Sequence, residues 1–349
     1  LERDSPTSPA EWFGPFCGMA AAVLYTLANI ALRDCVAIDA YLVSAVKATP
    51  TVLVLGPLLG WMSFRGSTLH INRRRMPTFI AASFGAQFFG NAAFQKALGH
   101  IGLAASVPIT LGVLIVGGAL LGAMLLGEPV GRQKVIAMVL LIVAVVVLSV
   151  PHCGPEALER SASNDNGVEN DGIGHTLETD RQVSAASVDT REPVSAAVRV
   201  IVGSLWAATS GIAYALFGVM LRQTLQTGMR ASTTMFISGL VGVTSLWSYS
   251  FLVLGSSTIS ATPSRQWLVM ASAGVFNFLA FVALTAALRR LPVVAVNLIN
   301  ASQVALAAIA GVVLFSEPVT VQLLLGITLT FVGLVILTRR TRASVVITD

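Results

Sequence analysis

Lys47 stands alone inside the apolar run Tyr41 to Phe64, about six residues from one end of it. A charge at the centre of a lipid-spanning helix costs roughly 2.5 to 3.5 kcal/mol, so such a residue needs a reason to be there. As a cation in a water-filled cavity it would attract an anionic or polar group of a solute; otherwise its long stem carries the ammonium to lipid headgroups or to backbone carbonyls. Gln87, Asn91 and Gln95 recur every four residues and share one helix face. That face either lines a cavity or hydrogen-bonds to a neighbouring helix, at about 0.6 to 2 kcal/mol per bond. Tyr25 and Asn29 keep the same spacing, Ser210 and Tyr214 repeat it, and Asn297, Asn300 and Gln303 mark a further run. For each tyrosine a buried ring with a satisfied hydroxyl is the alternative to solute contact.

Covalent catalysis has little to work with. The four histidines (His70, His100, His152, His175) lie between apolar runs, and no carboxylate sits inside a run away from its ends. Neither a Ser/His nor a paired-Asp site can be assembled within the runs, and a membrane carboxylate for proton coupling is missing too. Cys17, Cys35 and Cys153 form no CxxC pair, so no metal or cofactor is expected. A bridge between Cys35 and Cys153 stays open, because spacing does not supply the distance. The chain is read as non-enzymatic.

The elements that must position these groups follow from composition. Of 349 residues, 55% are hydrophobic and only 39 are charged, against about a quarter in soluble domains. Residues 151–195 hold 12 of those charges, nine of them acidic, which leaves 27 for the other 304 residues. A water-exposed globule is thereby excluded, as are collagen-like, disordered and disulfide-stapled chains. The net charge of +5 comes from short basic clusters between apolar runs, which mark orientation in a bilayer and not a nucleic-acid surface.

Ten runs are long enough to cross a core about 30 Å thick. They are Trp12–Leu32, Tyr41–Phe64, Pro77–Leu98, Leu103–Leu126, Gln133–Val150, Val200–Leu221, Ser232–Leu254, Gln266–Leu288, Val293–Phe315 and Val321–Thr338. Each is expected to be helical, since backbone in lipid must satisfy its own hydrogen bonds. The first is expected to serve as an uncleaved insertion signal. An ungapped shift of 189 positions lays Gly14 on Gly203, Tyr25 on Tyr214, Leu32-Arg33 on Leu221-Arg222, and Glu128-Pro129-Val130 on Glu317-Pro318-Val319. One constant offset across five runs predicts an internal duplication. Five is odd, so the second copy enters from the opposite side and the halves become inverted repeats.

The expected fold is thus an all-α membrane protein of ten transmembrane helices in two inverted five-helix repeats, residues 12–150 and 200–338. A polar linker, residues 151–199, joins them and is expected to be disordered, either as a tether or as a surface for a partner. Fourteen Lys and Arg residues collect on the side of the N-terminus, including Arg73, Arg74 and Arg75, and far fewer on the other. Both termini are therefore expected in the cytoplasm and the linker outside, in the plasma (inner) membrane. At 1.5 Å per residue, Asn29, Lys47, Asn91 and Gln95 fall in the outer half, Tyr25 and Gln87 near the middle, and Asn297 and Asn300 in the inner half. Glu128 and Glu317 would cap opposite faces; Glu-Pro ends a span at a tight turn, and each Glu is either structural or a gate contact.

The segments LLGEPVGRQKVIAMVLLIVAVVVL and LFSEPVTVQLLLGITLTFVGLVIL resemble the fourth-helix end, turn and fifth helix of EamA-type repeats in the drug/metabolite transporter superfamily. The resemblance spans both halves and leaves out the linker, which is longer than the family's pattern. It implies a tandem inverted repeat around a central cavity that exposes small organic solutes to either side in turn. It also implies a basic residue early in the second helix, where Lys47 stands; Phe236 holds the matching place in the second half. The expected function is transport of a small organic solute. A carrier of phosphorylated or lipid-linked sugars stays open, as does a non-transporting scaffold or receptor that uses the linker. Expected partners are the solute and the lipid bilayer, with a homodimer left open.

Overall fold

In a computed structural model of the chain, residues 9–65, 74–126, 131–150, 191–288, 299 and 302–339 are described. All regular structure among them is helical: α1 (Pro9–Asp34), α2 (Ala40–Phe64), α3 (Met76–Phe84), α4 (Asn91–Leu126), α5 (Arg132–Ser149), α6 (Arg191–Gln226), α7 (Ala231–Tyr249), α8 (Gly255–Ala261), α9 (Ser264–Leu288), α10 (Ser302–Phe315) and α11 (Val321–Arg339). Wider π-helical turns join α3 to α4 at Gly85–Gly90 and α7 to α8 at Ser250–Leu254.

Local chemistry sets several helix ends. Asp39 starts α2, its Oδ1 accepting the N–H groups of Tyr41 at 2.8 Å and Leu42 at 3.2 Å, which otherwise lack partners in a first turn. Pro77 opens α3, where its missing N–H costs nothing. Helix α6 begins at Arg191, nine residues before the apolar run read from the sequence, with Pro193 tolerated in its first turn. Helix α7 likewise does not end the chain's ascent at Leu254: Gly255, at φ 78°, turns it into α8, which runs to Ala261.

Six stretches are long and apolar enough to cross a membrane, with shorter apolar helices at Val135–Ser149, Ser302–Phe315 and Val321–Ile336. The stretch Met76–Leu125 has 50 residues. Straight, it would be about 75 Å long, more than twice a bilayer core. Gly102 breaks it, at φ 76° and ψ −177°, a conformation that side-chain-bearing residues rarely adopt. The two arms of α4 are 91–101 and 103–126.

Helix α1 packs on α9, α2 on α7 and α9, α4 on α6 and α10, and α5 on α11. The main core joins α1, α2, α4, α9 and α10 through Leu32, Leu42, Val46, Phe94, Leu103, Met270 and Ala307. Outward faces are also apolar: Phe64, Leu252 and Met124 are 97%, 84% and 80% exposed. Such residues on every side require a lipid solvent, so the fold is that of a multi-pass membrane protein.

Candidate functional site

The interior polar groups converge on Asn91, the first residue of α4. Its Oδ1 accepts from Lys47 Nζ of α2 at 3.1 Å and from the Tyr214 hydroxyl of α6 at 2.6 Å. Its Nδ2 donates to Gln87 Oε1 at 2.7 Å, and Gln87 Nε2 donates to Ser238 Oγ of α7 at 3.2 Å. Four helices and one π-helical turn thus feed a single chain of hydrogen bonds. Asn91 is buried, while Lys47, Gln87 and Tyr214 are partly buried. Tyr25 of α1 lies within electrostatic reach of Tyr214.

Close helix approach holds the cation in place. A Cβ at Gly274 of α9 would stand 2.8 Å from the Lys47 carbonyl oxygen and 2.9 Å from Pro50 Cγ, so only glycine lets α9 reach α2 here. Two residues further along α2, Thr49 accepts from Trp247 Nε1 at 3.1 Å. Among the described residues no carboxylate pairs with Lys47. An ammonium has three N–H donors and Asn91 takes one, which leaves the group able to bind a carboxylate, phosphate or hydroxyl oxygen.

The remaining candidates are placed differently. Gln95 is buried, but its Nε2 donates to the Leu32 carbonyl of α1 at 2.8 Å and its Oε1 has no partner among the described residues. Asn29 is partly buried on α1, and Gln303 is buried in α10. Asn297, Asn300, Glu128 and Pro129 lie outside the described residues, as does Cys153. Cys35 is a buried free thiol that donates to Gln266 Oε1 at 3.3 Å.

Glu317, at the corner between α10 and α11, does more than end a helix. Its carboxylate accepts the N–H groups of Leu103 at 2.6 Å and Ala104 at 2.8 Å, capping the second arm of α4. Arg33 Nε at the end of α1 binds the same carboxylate at 3.1 Å. Gly102 is needed for this as well, since a Cβ there would overlap the carboxylate. Pro318 follows, exposed. Sequence reasoning missed Ser238 and the role of Arg33; a serine in an apolar helix and an arginine at a helix end carry no signal of their partners.

A helical bundle with an apolar exterior and a charged, hydrogen-bonded interior defines a multi-pass membrane protein with a polar site between its helices. Residues 201–339 match the model of the EamA-like transporter family, part of the drug/metabolite transporter superfamily. One solved structure, described only as the crystal structure of a protein, is similar over 94% of this chain and 97% of its own, at 19% identity and a TM-score of 0.54. That likeness concerns the fold alone. No curated protein matches the chain.

Proposed function

We propose that the chain is a ten-span carrier that moves a small organic solute by alternating access, with Lys47, Asn91, Gln87, Tyr214 and Ser238 forming the solute site. The observation that carries this reading is the Lys47 ammonium, held between helices with an amide oxygen and, among the described residues, no carboxylate for company. Keeping a charge there is costly, and a purely structural role would be filled more cheaply by an apolar side chain. Lys47, Gln87 and Asn91 come from the first half, and Tyr214 and Ser238 from the second. A movement of one half against the other therefore changes the site itself.

Ten spans and inverted repeats belong to the same proposal. The six long stretches count as seven when the one broken at Gly102 is divided, and the three shorter helices make ten. The offset of 189 finds support in the corners: Arg75 Nη1 donates to Gln223 at 3.0 Å, and Arg265 Nη2 to Asp34 at 3.3 Å. Gln223 and Asp34 are 189 positions apart, and the two arginines 190. Helix α1 against α9 likewise answers to α6 against the α3–α4 stretch. The basic residues near Arg75 support a cytoplasmic position for that end, with the Gly102 end outside.

The test is transport. Purified chain in liposomes should show saturable uptake or exchange of one member of a solute panel, read with and without a pH gradient. Replacing Lys47 or Asn91 by Ala should abolish that flux while the protein still inserts and folds. Undiminished flux in both variants would remove the site from consideration.

A further inference from the structure

At the Gly102 end a cavity of about 570 Å³ opens between the α1–α2 turn, the first arm of α4 and the start of α6. Its basic wall residues are Lys96, His100 and Arg199, and among the described residues no carboxylate lines it. Lys96 Nζ sits over the Trp206 ring at 4.5 Å and the Tyr41 ring at 5.5 Å. Ring faces hold a cation in place without neutralising it. His100 Nδ1 meets the Lys96 carbonyl at 2.8 Å; a carbonyl only accepts, so Nδ1 carries the proton and Nε2 is the nitrogen left for a ligand. Val36 and Val202 supply apolar wall, and Gln95 also lines the cavity.

We propose that this cavity is a docking site for a small organic anion, a compact carbon skeleton bearing a carboxylate or phosphate. The inference rests on the transport reading and deepens it by naming the solute's charge. The volume lies within the range of small-molecule sites, and the two cations Lys96 and Arg199 around one opening concentrate anions there. Gln95 is one helical turn, about 6 Å, from Asn91, which holds Lys47. Gln95 thus stands between the cavity and the Lys47 network, and the anion passes from the first to the second. The same anionic chemistry is offered by lipid headgroups, and the experiment separates the two sources.

Full-length protein is placed in nanodiscs of phosphatidylcholine alone, and in others that include phosphatidylglycerol. Thermal stabilisation is measured with malate, with glycerol 3-phosphate and with neutral glycerol, since a ligand bound to the folded form raises its stability. One of the anions should stabilise the protein in phosphatidylcholine and glycerol should not. The K96Q/R199Q pair should weaken that anion's binding about tenfold or more, and K96R/R199K should restore most of it. In liposomes the K96Q/R199Q pair should raise KM for the transported anion by a similar factor with little change in turnover, a split that a folding defect would not produce.

Equal stabilisation of the wild type and of K96Q/R199Q overturns the proposal. So does stabilisation by phosphatidylglycerol through these residues with no effect of either soluble anion, which would make the cavity a lipid site. Failure of every solute to move, with anion binding still lost in K96Q/R199Q, would sink the transport reading and leave the anion site standing. Flux that needs Lys47 but shows unchanged KM in K96Q/R199Q would do the reverse.

Discussion

Removing the Glu317 carboxylate should unfasten the Gly102 end of the bundle. Two backbone N–H groups, of Leu103 and Ala104, end on it, and it is about 10% exposed. A hydrogen bond to a charged group is worth about 1.5 kcal/mol at the lower end, so the two together are worth about 3 kcal/mol. The Arg33 pair is partly open to solvent, at 21% exposure of the arginine, and adds up to about 1 kcal/mol. Glu317→Ala should therefore cost about 3 to 4 kcal/mol, and Glu317→Gln, which keeps one acceptor oxygen, about half of that. Arg33→Ala should cost no more than about 1 kcal/mol and should add little once Glu317 is gone. Denaturant unfolding in micelles gives the energies, and hydrogen exchange at the amides of residues 103 and 104 gives the place. Exchange at those two amides that is no faster in Glu317→Ala, or a loss of stability below about 0.5 kcal/mol, would refute the capping argument.

Burial, with Asp34 beside it, pushes the Cys35 thiol up to about 12, while Arg265 opposes the shift. A thiol whose value rises on folding stabilises fully below its unfolded value, about 8.5, and loses that contribution as pH climbs towards 12. Cys35 should accordingly resist maleimide at pH 8 in the folded protein, and Cys35→Ala should soften the alkaline decline in stability between pH 9 and 11. Gly274→Ala places a methyl against the Lys47 carbonyl and Pro50, at 2.8 and 2.9 Å. It should cost about 1 to 3 kcal/mol by overpacking, and it should lower flux without touching any polar side chain, as seen by comparing folded yield with uptake. Cysteines placed at Pro129 and Pro318 in a background lacking the native three should label from opposite faces of vesicles; labelling from one face would end the inverted-repeat reading.

How much was legible beforehand can be judged from particular residues. The spacing of Gln87, Asn91 and Gln95 marked a polar face, and Asn91 and Gln87 do join Lys47 in one network. Gln95 does not, for a reason the four-residue spacing conceals. Each such step advances about 40° around an α-helix, so two steps turn a side chain about 80° away. Gln95 therefore faces the end of α1 and binds the Leu32 carbonyl instead. The π-helical turn at Gly85–Gly90, which contains Gln87, shifts the register again, and no local pattern announces it.

Composition alone settled the solvent of this chain, because 27 charges among 304 residues outside the polar segment cannot cover a surface in water. Apolar run lengths and helix-breaking residues likewise determined the helices, since hydrogen bonding within lipid leaves the backbone few other choices. Only the tertiary structure decided which faces meet. Lys47 reaches Asn91 across 44 residues, Tyr214 reaches it across 123, and Glu317 crosses 214 to cap Leu103. Those pairings depend on how each helix is rotated and how far it is shifted against its neighbours. Both are set by packing at positions such as Gly274 and Gly102, not by the order of residues along any one helix.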